Sequence, residues 1–229
     1  MTFLKSSAYF AVLVTLGSWL LGVRLAKKTG SALVNPILFS VACTVALLLL
    51  LKIPYEDYKE KSSFISWLLT PATVCLALPL YEQMKVLKKQ WKAVLGGILA
   101  GACASLLSVL LLCRLFGLTA ADTATLLPKS VTTAISMEIS SELGGIPSVT
   151  AAVVILTGIL GNILAPFLCR LLRLTDPVAR GIAIGSSSHA IGTAKALEMG
   201  EIEGAMSGLS IAVSGLITVV LAPLAMMLV

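Results

Sequence analysis

Charged and aromatic side chains are scarce in this sequence. Of its 229 residues only 12% are charged and 6% are aromatic, whereas 58% are hydrophobic. A soluble domain of this length cannot bury so much apolar surface, so the scarcity of charge excludes an ordinary water-soluble protein. The net charge of +6 does not indicate nucleic-acid binding, because the basic residues lie in short loops between apolar runs. The composition predicts an integral membrane protein, with the lipid bilayer as its solvent.

The residue sets that carry out catalysis or bind metals are also missing. The sequence has one histidine, and its five cysteines lie in or at the ends of apolar runs without a CxxC pair. It has no phosphate-binding loop and no GxGxxG after a strand. Ser188 and His189 adjoin, but neighbouring side chains point apart and no carboxylate is placed to orient the imidazole. We therefore expect no enzyme activity, no cofactor and no metal.

Apolar runs of about twenty residues dominate what is present, and each is long enough to cross about 30 Å of hydrocarbon as a helix. The five clear runs are Tyr9 to Leu25, Leu33 to Ile53, Ala93 to Cys113, Val149 to Leu168 and Ala205 to Val229. A sixth, Phe64 to Tyr81, contains Pro71 and Pro79, so we expect a kinked or broken helix there. The sequence thus predicts an all-α integral membrane protein with six full transmembrane helices.

Two helix-length segments of mixed polarity interrupt this pattern, Thr119 to Pro147 and Asp176 to Gly204, and each precedes a long apolar run. The segments resemble each other, since a shift of 57 positions places Ser130 on Ser187. The same shift also pairs Gly158 with Gly215, Ala165 with Ala222, and Pro166 with Pro223. Transporters are often built from such repeats, with interrupted segments meeting near the bilayer midplane.

The two polar segments either cross the membrane fully or enter and leave on one side as re-entrant hairpins. The basic residues favour the second alternative, because full crossings would abolish the charge difference between the two faces. We therefore expect two polar re-entrant or broken-helix segments arranged as inverted repeats. The chain is then a single transmembrane domain: a two-helix scaffold at 1–63, a weak repeat unit at 64–116, repeat unit A at 119–173 and repeat unit B at 176–229.

Local patterns mark where these segments begin and pack. Thr119 with Asp122 has capping-box spacing, and Asp176 before Pro177 is typical of a helix N-cap. We expect the acidic residues before the last run, Glu198, Glu201 and Glu203, to form a solvated face. Three glycine pairs are expected to allow close helix packing within the chain: Gly97-x-x-x-Gly101, Gly181-x-x-x-Gly185 and Gly204-x-x-x-Gly208.

Hydroxyl groups and two ionisable residues concentrate in the polar segments. Lys129 precedes a predicted helix start, where free N–H groups and the helix dipole attract an anion. The alternative is that its side chain reaches to the surface. His189 is either a binding group or a structural one, and its place at membrane depth favours a functional role. The candidate substrate-binding residues are Lys129, Ser130, Thr132, Thr133, Ser187, Ser188, His189 and Thr193.

The same residues resemble the CidB/LrgB family of bacterial membrane proteins, from about Asn35-Pro36 to the C-terminus. A weaker similarity lies at Pro71-Ala72-Thr73 and Leu78-Pro79-Leu80-Tyr81. The strongest similarities are Leu127-Pro128-Lys129-Ser130-Val131-Thr132-Thr133, Gly144-Gly145-Ile146-Pro147, Ala179-Arg180-Gly181 and Ser188-His189-Ala190-Ile191-Gly192-Thr193-Ala194.

The resemblance implies two functions. One is transport of a small monocarboxylate such as pyruvate, glycolate, glycerate or lactate. The other is a holin-like or antiholin-like role that modulates murein hydrolase export and autolysis together with a small CidA/LrgA-type partner. We expect transport, because a holin needs no buried lysine, no histidine and no inverted repeat, and we keep the antiholin-like role as the alternative. The resemblance also implies the bacterial inner membrane, and a homo-oligomer is left open.

The basic residues also predict an orientation. With six crossings, eleven of the 17 lysines and arginines fall on one face, which is therefore expected to be cytoplasmic, with both termini outside. A Lys88→Cys substitution in a variant without the native cysteines should react with an impermeant thiol reagent only from the cytoplasmic side. Reaction from outside alone would reverse this orientation.

Overall fold

Helices form where the sequence supplies apolar runs, because a helix pairs its own backbone N–H and C=O groups and lipid offers no partners. A computed structural model describes residues 7–29, 36–68, 71, 74–75 and 77–229, and in these ranges it has helices and no strand.

The chain divides into two compact units, Met1–Cys75 and Leu76–Val229. The first contains α1 (Ala8–Thr29), α2 (Pro36–Leu51), α3 (Tyr55–Lys61) and α4 (Ser63–Trp67). The second contains α5 (Ala77–Glu82), α6 (Met84–Leu115), α7 (Ala120–Leu126), α8 (Thr133–Glu142), α9 (Pro147–Leu171), α10 (Pro177–Met199) and α11 (Glu201–Met226).

Four of the described helices are long and apolar enough to cross a bilayer: α1, α6 from Lys88 onward, α9 and α11. The pair α2 and α3, bent by 119°, makes a fifth if it is one broken span. The predicted run Leu33 to Ile53 starts outside the described residues and is helical from Pro36. The run Phe64 to Tyr81 is interrupted at Leu68, and its positions 69–70, 72–73 and 76 also lie outside the described residues. The all-helical membrane class is confirmed with four or five spans, and six full crossings stay a prediction.

In the first unit, α1 and α2 pack through a glycine and a group of hydroxyls. A Cβ at Gly22 would lie 2.8 Å from the Pro36 carbonyl oxygen, so only glycine allows this approach. The Ser18 Oγ lies 3.0 Å from the Ser40 Oγ and 3.2 Å from the Thr44 Oγ1. Hydroxyls that satisfy one another in this way can join two apolar helices in lipid.

In the second unit, the first polar segment folds back on itself, and we call α7, the turn at 127–132 and α8 the first hairpin. The predicted capping box at Thr119 and Asp122 begins it. The Ser136 hydroxyl donates to the Pro128 carbonyl at 2.6 Å, which ties α8 to the turn. Near the C-terminal end of α8, the Thr150 Oγ1 of α9 lies 2.7 Å from the Ser140 Oγ. The base of this hairpin therefore lies beside the N-terminal end of α9.

The second polar segment, α10, also reverses, and we call its two halves the second hairpin. The predicted N-cap at Asp176 begins it by accepting from the Ala179 N–H at 3.0 Å. Ile184 and Ala196 share one buried cluster, although a straight helix would hold them about 18 Å apart at 1.5 Å per residue. The reversal occurs at His189, where φ is 42° and ψ is −144°.

The two hairpins enter from opposite ends of α9. The first has its base beside Thr150, near the start of α9, whereas the second follows α9 after a short connection from Leu172. The tip of the second hairpin reaches the middle of α9, since a Cβ at Gly158 would lie 2.7 Å from His189 Cε1. The corresponding glycine of α11, Gly215, faces the first hairpin, with its Cβ position 3.1 Å from Ile135 Cδ1. Each long helix thus has a glycine against a hairpin tip.

The pair α10 and α11 packs closely at its base, where glycines remove the side chains that would separate the helices. A Cβ at Gly181 would lie 2.8 Å from Met206 Cβ, and one at Gly185 would lie 2.8 Å from Ser207 Cα. The expectation that this glycine pair serves packing within the chain is confirmed. The expectation that Glu203 belongs to a solvated face is wrong: Glu203 is only 6% exposed, and its carboxylate lies 3.5 Å from Arg180 Nη1. Burial of this carboxylate is tolerated because the arginine of the neighbouring helix pairs with it.

A Gly185→Ala substitution tests the close approach. We expect a loss of about 1–3 kcal/mol of stability, because the new methyl group would meet the backbone of α11. Gly96→Ala is the matched control, since a Cβ there meets nothing within 4 Å and alanine favours the helix. Both can be compared by heating the detergent-solubilised protein and measuring the remaining monodisperse fraction. Equal stability of the two variants would contradict the packing described here.

Candidate functional site

The tips of the two hairpins meet α6 around an open recess of about 480 Å³. We call it the serine recess, because hydroxyls from all three elements line it. Its polar residues are Ser105 and Ser108 of α6, Lys129 and Ser130 of the first hairpin, and Ser186 and Ser187 of the second. Gly101, Ala104 and Ala183 complete the lining. The structure thus brings together the two serines that the 57-residue shift pairs, Ser130 and Ser187.

Among the described residues that line the recess, Lys129 is the only charged one. Its ammonium group donates to the Ser130 Oγ at 3.1 Å, and the Ser130 Oγ lies 2.7 Å from the Ser105 Oγ. No carboxylate of the described residues lies within ion-pair distance of it. Two of its three N–H donors therefore remain available to a ligand. A half-buried ammonium group without a counter-charge, surrounded by hydroxyls, is suited to bind a small monoanion.

Four of the other predicted site residues do not line this recess. Thr132 is the N-cap of α8 without a side-chain cap bond, and Thr133 is the first residue of that helix. Ser188 is buried, and a Cβ at Gly161 of α9 would collide with its side chain. The buried Thr193 hydroxyl donates to the His189 carbonyl at 3.0 Å and lies 2.7 Å from the Ser207 Oγ. Of the eight candidates, the recess therefore contains Lys129, Ser130 and Ser187.

His189 is also absent from the recess and is only 2% exposed. Its Nε2 lies 2.9 Å from the Val154 carbonyl oxygen, and because a carbonyl only accepts, Nε2 carries the proton. Gly158 provides the space for the ring. The φ and ψ of His189 correspond to the first central position of a type II′ turn, which glycine normally occupies. The imidazole thus fastens the reversal of the second hairpin to α9.

Asn162 supports the same reversal from α9. Its Nδ2 donates to the Ile191 carbonyl at 2.9 Å, two residues after the turn. A reversed helix leaves carbonyl groups without intrahelical partners, and in lipid these need another donor. The sequence analysis did not single out Asn162. An amide inside the otherwise apolar run Val149 to Leu168 was the signal that could have identified it.

Sequence reasoning also missed the contribution of α6 to the recess. Ser105 and Ser108 lie within the apolar run Ala93 to Cys113. Serine is common in transmembrane helices, so these two residues do not by themselves indicate a binding site. The pattern Gly97-x-x-x-Gly101 was a usable signal, because the face of α6 that carries it packs against α10. A Cβ at Gly101 would lie 2.8 Å from the Ser186 Oγ.

Comparison with known proteins identifies the family of the chain. The model of the LrgB-like family matches residues 15–228. The chain belongs to the LrgB-like family. It is 35% identical over 219 residues to the antiholin-like protein LrgB of Bacillus cereus (strain B4264), covering 95% of each chain. The antiholin-like protein LrgB of Bacillus anthracis (strain CDC 684 / NRRL 3495) matches with the same identity and coverage. No solved structure matches the chain.

The family and the apolar helices together make the chain a multi-pass membrane protein. The resemblance to the LrgB family is thereby confirmed. The name of these relatives agrees better with the antiholin-like alternative than with transport. It names no substrate and no partner.

Two substitutions separate a structural His189 from a ligand-binding one. His189→Ala loses the bond to Val154 and keeps the unfavourable backbone angles, so we expect much less folded protein in the membrane. His189→Gly loses the same bond, but glycine adopts these angles without the steric penalty of about 1–2 kcal/mol that other residues have there. It should therefore retain more folded protein than His189→Ala, as measured by fluorescence size-exclusion chromatography. If both variants fold like the parent, the imidazole is not what holds the reversal.

Proposed function

We propose that the chain acts in the bacterial inner membrane as an antiholin-like protein of the LrgB kind, which modulates murein hydrolase export and autolysis. The similarity of nearly the whole chain to antiholin-like proteins supports this function. The membrane helices are consistent with it. In this function a small CidA/LrgA-type membrane protein is the expected partner.

We propose transport of a small monocarboxylate as a second function, because one observation favours it. The Lys129 ammonium group lies in the serine recess without a carboxylate partner among the described residues, at the point where both hairpin tips meet. A charge at membrane depth is costly, and it is usually retained only for function. An antiholin has no evident need for it. The ligand that suits this site is a small carboxylate such as pyruvate, lactate, glycolate or glycerate, with one negative charge and a size that fits the recess.

The arrangement of the hairpins supports inverted repeats as the basis of such transport. Two polar segments enter from opposite ends of α9 and their tips line one recess, as in transporters that open alternately to each side. The equivalent glycines Gly158 and Gly215 each face a hairpin tip. The equivalent prolines Pro166 and Pro223 both lie inside their long helices. Re-entrant insertion of both hairpins, with the termini outside, is part of this proposal.

The Lys129→Ala variant tests transport, with Lys28→Ala as a control because Lys28 is exposed on α1. In proteoliposomes, uptake of labelled pyruvate by the parent should be saturable, and Lys129→Ala should reduce it at least about tenfold if the lost charge–ligand bond is worth about 1.5–3 kcal/mol. Lys28→Ala should transport like the parent. Equal uptake by both variants would exclude Lys129 from the site, and release of larger solutes without saturation would indicate a pore.

The antiholin-like function is tested in cells from which the chromosomal copy has been deleted. The parent protein should restore the normal rate of detergent-induced lysis, measured as the fall in optical density. If Lys129→Ala restores lysis control while uptake is lost, the two functions are separate. If it fails in both assays while the amount of membrane protein is unchanged, lysis control depends on the transported solute. A deletion without effect on lysis would contradict the antiholin-like proposal.

A further inference from the structure

A second cavity lies next to the serine recess, along the same side of α6. It has a volume of about 460 Å³ and lies between α6 and the first half of α10. Gly101, Ala183 and Ser186 line both cavities. The two cavities therefore border each other at these three residues, and we call them together the α6 groove. It extends from Gln90 and Asp176 at one end to Ser108 and Lys129 at the other.

Small residues at helical spacing form the α6 side of this groove. They are Ala93, Gly97, Gly101, Ala104 and Ser108, three or four positions apart, which places them on one face of a helix. Gln90 lies at the outer end of this row. Gly101 and Ser186 separate the two parts of the groove, since a Cβ at Gly101 would lie 2.8 Å from the Ser186 Oγ. A solute passes this point only when the Ser186 side chain rotates away. Apolar residues predominate on the Gln90 side of this point, and hydroxyls predominate beyond it.

We propose that the α6 groove is the route by which a small monocarboxylate reaches Lys129 from the Gln90 end, and that Ser105 is a further binding residue at its inner end. This inference rests on the transport function proposed above. It assigns α6 to the site, in addition to the two hairpins.

The hydrogen-bond arrangement explains why Ser105 suits a carboxylate. Lys129 donates to the Ser130 Oγ, and the Ser130 hydroxyl can in turn donate to the Ser105 Oγ. The hydroxyl hydrogen of Ser105 then remains free to point into the recess. A carboxylate has two acceptor oxygens, and this hydroxyl together with a free N–H of Lys129 can bind both. The Ser108 hydroxyl already donates to the Ser105 carbonyl at 2.8 Å, so it is a weaker candidate donor.

The charges near the Gln90 end suit the entry of an anion. Lys88, Lys89 and Lys92 are exposed within the same stretch of α6, and basic residues around an entrance raise the local concentration of anions. The one acidic residue of the lining there is Asp176. Its carboxylate is occupied as the N-cap of α10. The α6 helix also departs from helical angles at Gln90, so its axis changes direction at this entrance.

Single cysteines on α6 test the route in the full-length protein without its native cysteines. The groove positions are Ala93→Cys and Ser105→Cys. The matched controls are Leu95→Cys and Leu107→Cys, two residues further along, where the leucines are 40% and 53% exposed on other faces of the helix. An anionic, impermeant thiosulfonate reagent is added from the Lys88 side. The groove cysteines should react at least about tenfold faster than their controls, because only a cysteine in contact with water forms the reactive thiolate.

Protection by substrate tests the binding role of Ser105. Saturating pyruvate should slow the reaction of Ser105→Cys and leave Leu107→Cys unchanged, whereas inorganic phosphate should protect poorly if the site is built for a monoanion. The exchange of serine for cysteine is nearly isosteric, so the variant should fold. If its chromatographic profile shows otherwise, Ser105→Ala takes its place, and it should bind pyruvate more weakly than the parent.

Equal reaction rates of groove and control cysteines would overturn the route. Fast reaction of Ser105→Cys that pyruvate does not slow would overturn the assignment of Ser105. Failure of the transport function has a different signature: pyruvate protects Ser105→Cys, but the parent protein takes up no pyruvate in proteoliposomes. In that case the groove is a carboxylate-binding site without transport.

Discussion

The need to satisfy backbone polar groups away from water controls the architecture of the second unit. Lipid offers no hydrogen bonds, so a chain that reverses direction at depth must find its partners in the protein. The reversal at His189 meets this need through α9: the Val154 carbonyl accepts from the imidazole, and Asn162 donates to the Ile191 carbonyl. Gly158 makes the approach possible. The position of Ser187 at the serine recess depends on this arrangement, because the same turn determines where the tip lies.

The serine recess differs from the other polar sites of the second unit in how its charge is balanced. Glu203 is buried, but Arg180 pairs with it. Lys195 is likewise paired, with Glu198 at 2.8 Å. Lys129 has hydroxyl neighbours and no such pair within the described part of the chain. A bound anion would supply the missing counter-charge, so the site gains electrostatic stabilisation when it is occupied.

The sequence predicted the parts of the fold that depend on local patterns. The length of the apolar runs predicted the long helices, and capping residues predicted the starts of α7 and α10. The 57-residue shift pairs Ser130 with Ser187, and both line the serine recess. The sequence could not assign the orientation of side chains around a reversal, because this depends on which helix packs against it. His189 was therefore placed in the binding site although its ring points to Val154. Glu203 was misjudged for the same reason, since its partner Arg180 is 23 positions away.

The crossed glycine contacts have a consequence for how the two hairpins respond to each other. Gly158 of α9 packs against the second hairpin, and Gly215 of α11 packs against the first. In the sequence, α9 directly follows the first hairpin and α11 directly follows the second. Each hairpin is therefore covalently joined to the helix against which the other hairpin packs. A movement of α9 together with the first hairpin would therefore have to be accommodated at the second tip, and a movement of α11 together with the second hairpin at the first tip.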